Sequence, residues 1–146
     1  MASVPACTQT TLAVARNIES LLKSCPQIYL EPEEHIHAGL YARTIRVPSG
    51  VVLTGALIKI PTLLIVSGEV MMSVGDQVKR YTGTNIFEGS AGRKTVFRAV
   101  GDVVITMAFA SDASNFEEAV KQFTDEQLQE KDKCQEQQPP LGLERQ

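Results

Sequence analysis

Between residues 9 and 25, Leu12, Ala15, Ile18, Leu22 and Cys25 recur at helical spacing, and Leu21 widens the stripe. Thr8, Thr10 and Thr11 are available as caps, and Pro26 stops the helix. A helix this short is not stable alone. It must pack on its own barrel or on a neighbouring subunit.

From about residue 28 to 110 the period shortens to that of strands. Gly39 to Val47 alternates Leu40, Ala42, Thr44 and Arg46 against Tyr41, Arg43, Ile45 and Val47. Pro48-Ser49-Gly50 turns the chain into Val51-Val52-Leu53. Ala56 to Val66 is broken by Pro61, which cannot donate to a ladder and so marks an edge or a bend. Further strands are predicted at Glu69 to Val74, Gln77 to Tyr81, Asn85 to Phe87, Thr95 to Val100 and Val103 to Ala110, with Ser67-Gly68, Gly75-Asp76, Gly89 to Gly92 and Gly101-Asp102 as turns. About eight short strands at this spacing, with no helix between them, point to an all-β sandwich or barrel and away from a parallel α/β sheet. Ser114-Asn115-Phe116-Glu117 then reads as a capping box for a helix with Phe116, Val120 and Phe123 on one face, running to about Gln129. The Gln-, Glu- and Lys-rich remainder carries Pro139-Pro140 and reads as a disordered or extended tail. The expected organisation is an N-terminal helical arm over 1–27, a β-barrel over 28–111, a C-terminal helix over 112–129 and a polar tail over 130–146.

Composition adjusts this picture only slightly. The 146 residues suit one domain, and 43% hydrophobic and 21% charged residues are near globular averages. A net charge of −3 provides no global field for nucleic acid or anionic lipid. No apolar run approaches the ~20 residues of a membrane span, and the N-terminus has no basic region leading into an apolar one, so neither a membrane partner nor a signal peptide is expected. Cys7, Cys25 and Cys134 are odd in number and widely spaced, which argues for reduced thiols rather than disulfides or a thiolate zinc site.

Cys25-Pro26-Gln27, His35-Ile36-His37-Ala38-Gly39-Leu40-Tyr41-Ala42-Arg43 and Val47-Pro48-Ser49-Gly50-Val51-Val52-Leu53-Thr54-Gly55 occur in an order that resembles small cupin-like (double-stranded β-helix) proteins common in tailed-bacteriophage genomes. Ser67 to Val70, Gly92-Arg93-Lys94, Gly101 to Thr106 and the acidic helix after Ser111 fit the same pattern. The resemblance spans roughly residues 12 to 125. It implies a cupin-like jelly-roll β-barrel with flanking helices. The chain also departs from those relatives. Where they carry a His-rich segment, it reads Ile58-Lys59-Ile60-Pro61-Thr62-Leu63, and near the end, where they commonly carry His, it has Phe109.

A cupin metal centre generally wants three His and a Glu, because imidazole and carboxylate suit Fe, Mn, Ni or Zn. This chain has two histidines, His35 and His37, which with Glu33 or Glu34 are its metal candidates; the competing reading is a solvated entry loop or a hydrogen-bonded pair. Nothing places a base beside a nucleophile, and no catalytic residue or cofactor is expected. Gly89-Ser90-Ala91-Gly92 leads into a strand rather than a helix, so Arg93-Lys94 reads as a turn with two solvated charges rather than a phosphate cradle. Met71-Met72 and Leu63 to Val66 read as core, with an oligomer face as the alternative.

The expected function is that of a non-catalytic phage accessory structural protein. It would be a capsid decoration or cement protein, or a tail or neck component. It is expected to be homo-oligomeric, to contact a capsid or tail protein, and to pass from host cytoplasm to virion. The rivals are a metal-dependent cupin enzyme, a sugar- or small-molecule-binding cupin, and a host-interaction protein.

Overall fold

A computed structural model of the chain describes residues 2–128 and 136–137. The chain order is β1 (Ala2–Val4), α1 (Gln9–Leu22), β2 (Gln27–Ile28), β3 (Glu33–His37), β4 (Leu40–Val47), β5 (Val52–Thr54), β6 (Thr62–Ser67), β7 (Val70–Val74), β8 (Gln77–Tyr81), β9 (Thr84–Gly89), β10 (Val96–Ala99), β11 (Val103–Ala110), α2 (Phe116–Phe123) and β12 (Glu136–Gln137). The strands form two six-stranded sheets, ordered β1-β9-β6-β11-β4-β3 and β2-β12-β5-β10-β7-β8. Apart from the hairpins β3–β4 and β7–β8, successive strands cross between the sheets, as in a jelly roll.

Alternation along β4 and β11 builds the first sheet. Their ladder pairs Tyr41 with Phe109, Arg43 with Met107, Ile45 with Ile105 and Val47 with Val103, so these side chains share one face. Leu64 and Val66 of β6 and Phe87 of β9 continue that face. It packs on Leu53, Val70, Met72, Phe97 and Ala99 of the second sheet to form the main core. A second cluster seats Ala119 and Phe123 of α2 on Tyr41 and Phe109, with the Tyr41 and Phe109 ring centroids 5.3 Å apart.

The eight strands expected from the sequence correspond to β4 through β11. Pro61 acts as the break: β6 begins at Thr62, and 56–61 contributes only the bridge between Ile58 and Arg93. The sequence reads Glu33 to His37 as a solvated entry loop or a hydrogen-bonded histidine pair ahead of the first barrel strand. The segment is instead β3, paired along its length with β4. The connecting Ala38 and Gly39 have φ of 55° and 73°, as a two-residue type I′ hairpin requires.

Helix α1 runs to Leu22, with a capping box between Thr8 and Thr11. It packs on its own barrel: Ala15 and Leu22 are buried, and its Val14 and Ile18 share a crevice with Met71, Ser73, Val96 and Arg98 on the outer face of the second sheet. Helix α2 is shorter than expected. Its N-cap is Asn115, and Glu118 reaches back to the Ser114 amide. It ends at Phe123 rather than near Gln129, because Thr124 is extended and its hydroxyl donates to the Leu57 carbonyl. The expected tail, 130–146, lies outside the described residues apart from Glu136–Gln137, which pair with β2 and β5. Cys134 and Gln129 also lie outside them.

Candidate functional site

His35 and His37 are exposed on the outward face of β3, together with Glu33, which pairs with Arg46 at 2.9 Å. Glu34 points to the opposite face, because successive strand residues alternate. There it accepts from the Tyr41 hydroxyl at 2.7 Å and from Arg43 at 3.3 Å. The structure therefore does not bring Glu34 together with the two histidines. Among the described residues no three His, Cys, Asp or Glu side chains gather as a metal site would require. Burial pushes the Tyr41 hydroxyl pKa up, opposed by Arg43 and assisted by Glu34.

Between the sheets, open at the end near α1 and the segment after α2, lies a cavity of about 800 Å³. Its floor is apolar: Ile45, Leu53, Leu64, Phe97, Ile105 and Met107. Its mouth carries charges of both signs: Arg16, Glu19 and Lys23 from α1 and the turn after it, Lys59, and Asp125 and Glu126 beyond α2. Lys59 Nζ lies 2.6 Å from Asp125, and Lys94 Nζ sits 3.0 Å from Glu19 and 3.1 Å from Glu126.

Arg93 and Lys94 are not the solvated turn charges the sequence suggested. Each is only 2% exposed. Extended backbone before β10, bridged to Ile58, alternates the two side chains, so that Arg93 lines the cavity and Lys94 is covered by α1. Lys94 ties α1 to the chain beyond α2 through its two glutamates. Arg93 lines the cavity, donates through Nη1 to the Ser90 carbonyl at 3.0 Å and through Nη2 to the Thr62 hydroxyl, and lies over Gly89. It has no carboxylate within ion-pair distance among the described residues. Burial lowers its pKa to about 10, so it remains a cation at neutral pH.

The outer face of the first sheet is uncovered by any described element. One row across it reads Glu88, Leu63, Ala108, Ala42 and His35, and the next reads Ile86, Ile65, Thr106, Thr44 and Glu33. The charged residues of this face are Glu88 on β9, Arg46 on β4 and Glu33 on β3, and the outward faces of β6 and β11 between them carry none. Leu63 is 39% and Ile86 42% exposed. Leu63 and Ile65 were read as core, with an oligomer face as the alternative; they point outward, while Leu64 and Val66 point into the core.

No family model matches the chain, and no curated protein matches it. Solved structures do. Salicylate 1,2-dioxygenase from Pseudoaminobacter salicylatoxidans aligns over 84% of this chain and 38% of its own, at 11% identity and a TM-score of 0.50. The cupin domain of Cnp3 from Schizosaccharomyces pombe aligns over 62% of this chain and 67% of its own, at 16% identity and a TM-score of 0.47. A cupin-2 domain protein from Shewanella frigidimarina aligns over 71% and 100%, at 13% identity and a TM-score of 0.46. The fold is cupin-like: a mostly β jelly roll with two helices. Among the described residues no helix is long and apolar enough to cross a membrane.

Proposed function

We propose that this protein is a non-catalytic structural module that acts by self-association through the outer face of its first sheet. The observation that carries this reading is the uncharged centre of that face, where Leu63, Ile65, Ile86 and Ala108 stand together with no described element over them. Contiguous apolar surface rimmed by polar residues is the usual mark of a protein interface. A two-fold contact would bury it against an identical patch and leave Glu88, Glu33 and Arg46 at the rim, where charge is best tolerated. The barrel interior supports the non-catalytic part. Among the described residues its ionic groups include Glu34 with Arg43, Arg93, and Lys94 with Glu19 and Glu126, rather than a convergent imidazole and carboxylate set. The virion setting, as a phage accessory protein on a capsid or tail, is part of the same proposal and rests on the sequence resemblance alone.

Substituting Leu63→Glu and Ile65→Glu together tests the association. In a two-fold interface each new charge appears twice, desolvated and facing like charge. Light scattering should show a discrete oligomer for the native chain and a monomer for the variant, with the circular dichroism spectrum unchanged. A native monomer at all concentrations, or a variant of unchanged mass, would overturn the proposal.

A further inference from the structure

We propose that self-association through the outer face of the first sheet is regulated by pH: Glu88 of each copy meets His35 of the other, and the contact tightens when His35 takes up a proton. This deepens the self-association reading and rests on it.

The first ground is where the charge stands. Glu88 and His35 lie in one row of the face, which reads Ser3, Glu88, Leu63, Ala108, Ala42 and His35 from edge to edge. Both side chains are exposed, and neither has an ion-pair or side-chain hydrogen-bond partner among the described residues. The other charges of the face are already matched, since Arg46 meets Glu33 at 2.9 Å. Near His35, β3 adds His37 and Glu33, and β4 adds Arg46. Helix α2 packs behind β3 through Ile36, and there Glu117 is paired with Lys121 and Glu118 accepts from the Ser114 amide. Glu88 itself stands between Ser3 of β1 and Leu63 of β6. The face therefore has an unmatched carboxylate towards one edge and imidazoles at the other.

The second ground is symmetry. Sheets packed face to face keep their strands nearly aligned. A two-fold axis that achieves this runs either across the strands or along them. An axis across the strands lays each strand on its own copy, so the Glu88 edges face each other and so do the His35 edges. An axis along β11, the middle of β9, β6, β11, β4 and β3, lays each row on itself in reverse. Ala108 then meets Ala108, Leu63 meets Ala42, and Glu88 meets His35 at both ends of the row. Opposed charges of unlike sign favour an interface and like charges penalise it, so the second axis is selected. Histidine changes its charge between about pH 5 and 8. A facing carboxylate favours the protonated imidazole, so this contribution is present at about pH 6 and is lost as the pH rises towards 8.

Sedimentation equilibrium of the full-length protein at pH 6 and pH 8 provides the test. The native chain should associate at least about fivefold more tightly at pH 6, because the two-fold counts each pair twice. His35→Gln should associate alike at the two pH values, to within about twofold. Glu88→Lys and His35→Glu should each weaken association at pH 6 by at least about tenfold, since like charges then meet twice. The double variant Glu88→Lys, His35→Glu restores opposite charges and should return to within about threefold of the native chain. Both positions are exposed, so the circular dichroism spectrum should not change in any variant. The proposal is overturned if the native chain associates as tightly at pH 8 as at pH 6. It is equally overturned if His35→Gln keeps the native response, or if the double variant is as weak as the single ones. Any of these, with Leu63→Glu and Ile65→Glu still dissociating the oligomer, removes this inference and leaves self-association standing. A native monomer at both pH values removes both.

Discussion

Arg93 and Lys94 are adjacent and equally buried, yet among the described residues Lys94 is neutralised by two carboxylates and Arg93 by none. The energetics of the Lys94 cluster are asymmetric. Its ammonium is fully enclosed, while Glu19 and Glu126 keep 28% and 29% of their side-chain surface. Removing the lysine leaves two carboxylates that water can still reach. Removing both carboxylates strands a buried cation. The double variant Glu19→Gln, Glu126→Gln should therefore lose about 3–5 kcal/mol in urea unfolding, and Lys94→Met distinctly less. Equal losses would mean that packing of the lysine stem, not charge, holds the cluster. None of this was legible in the residues themselves. Gly89 and Gly92 flag a turn, and a turn usually exposes its charges. The burial of Lys94 depends on Glu126, 32 residues further along the chain. Arg43 did leave a signal, since it stands in phase with Tyr41, Ile45 and Val47 on the face that proves inward.

Among the elements, those with strong period and clear punctuation matched the sequence pattern: β8 and β11 fall where the alternation put them, and β6 starts just after Pro61. Strand β3 was hidden because Glu33-Glu34-His35-Ile36-His37 is polar on both faces, and its inner polar residue is tolerated only through Tyr41 and Arg43. Strand β1 was hidden because its three residues gain their place by parallel pairing with β9, far along the chain. The end of α2 was misplaced because a tertiary hydrogen bond from Thr124 to Leu57 stops it while the local sequence would still allow a helix. The hairpin joining β3 to β4 yields a prediction at this scale. Ala38 holds φ at 55°, a left-handed conformation that disfavours a Cβ by roughly 1–2 kcal/mol. After the greater entropy of an unfolded glycine is subtracted, Ala38→Gly should stabilise the protein by about 0.5–1 kcal/mol in urea unfolding. A destabilised variant would mean that the methyl group packs on something beyond the hairpin.

For the molecule as a whole, the sequence pattern and the motif resemblance led to a cupin-like barrel, and the structure and its neighbours have that fold. The cavity chemistry lay beyond their reach, because it depends on which strands close over which charges. In our account the barrel is a scaffold whose working surface is an outward sheet face for a second copy. The central claim is that the protein associates and does not depend on a metal. Light scattering combined with elemental analysis of the purified full-length chain tests it most directly. Our account predicts a discrete oligomer without stoichiometric Fe, Mn, Ni or Zn. A strict monomer, or about one transition metal per chain, would contradict it.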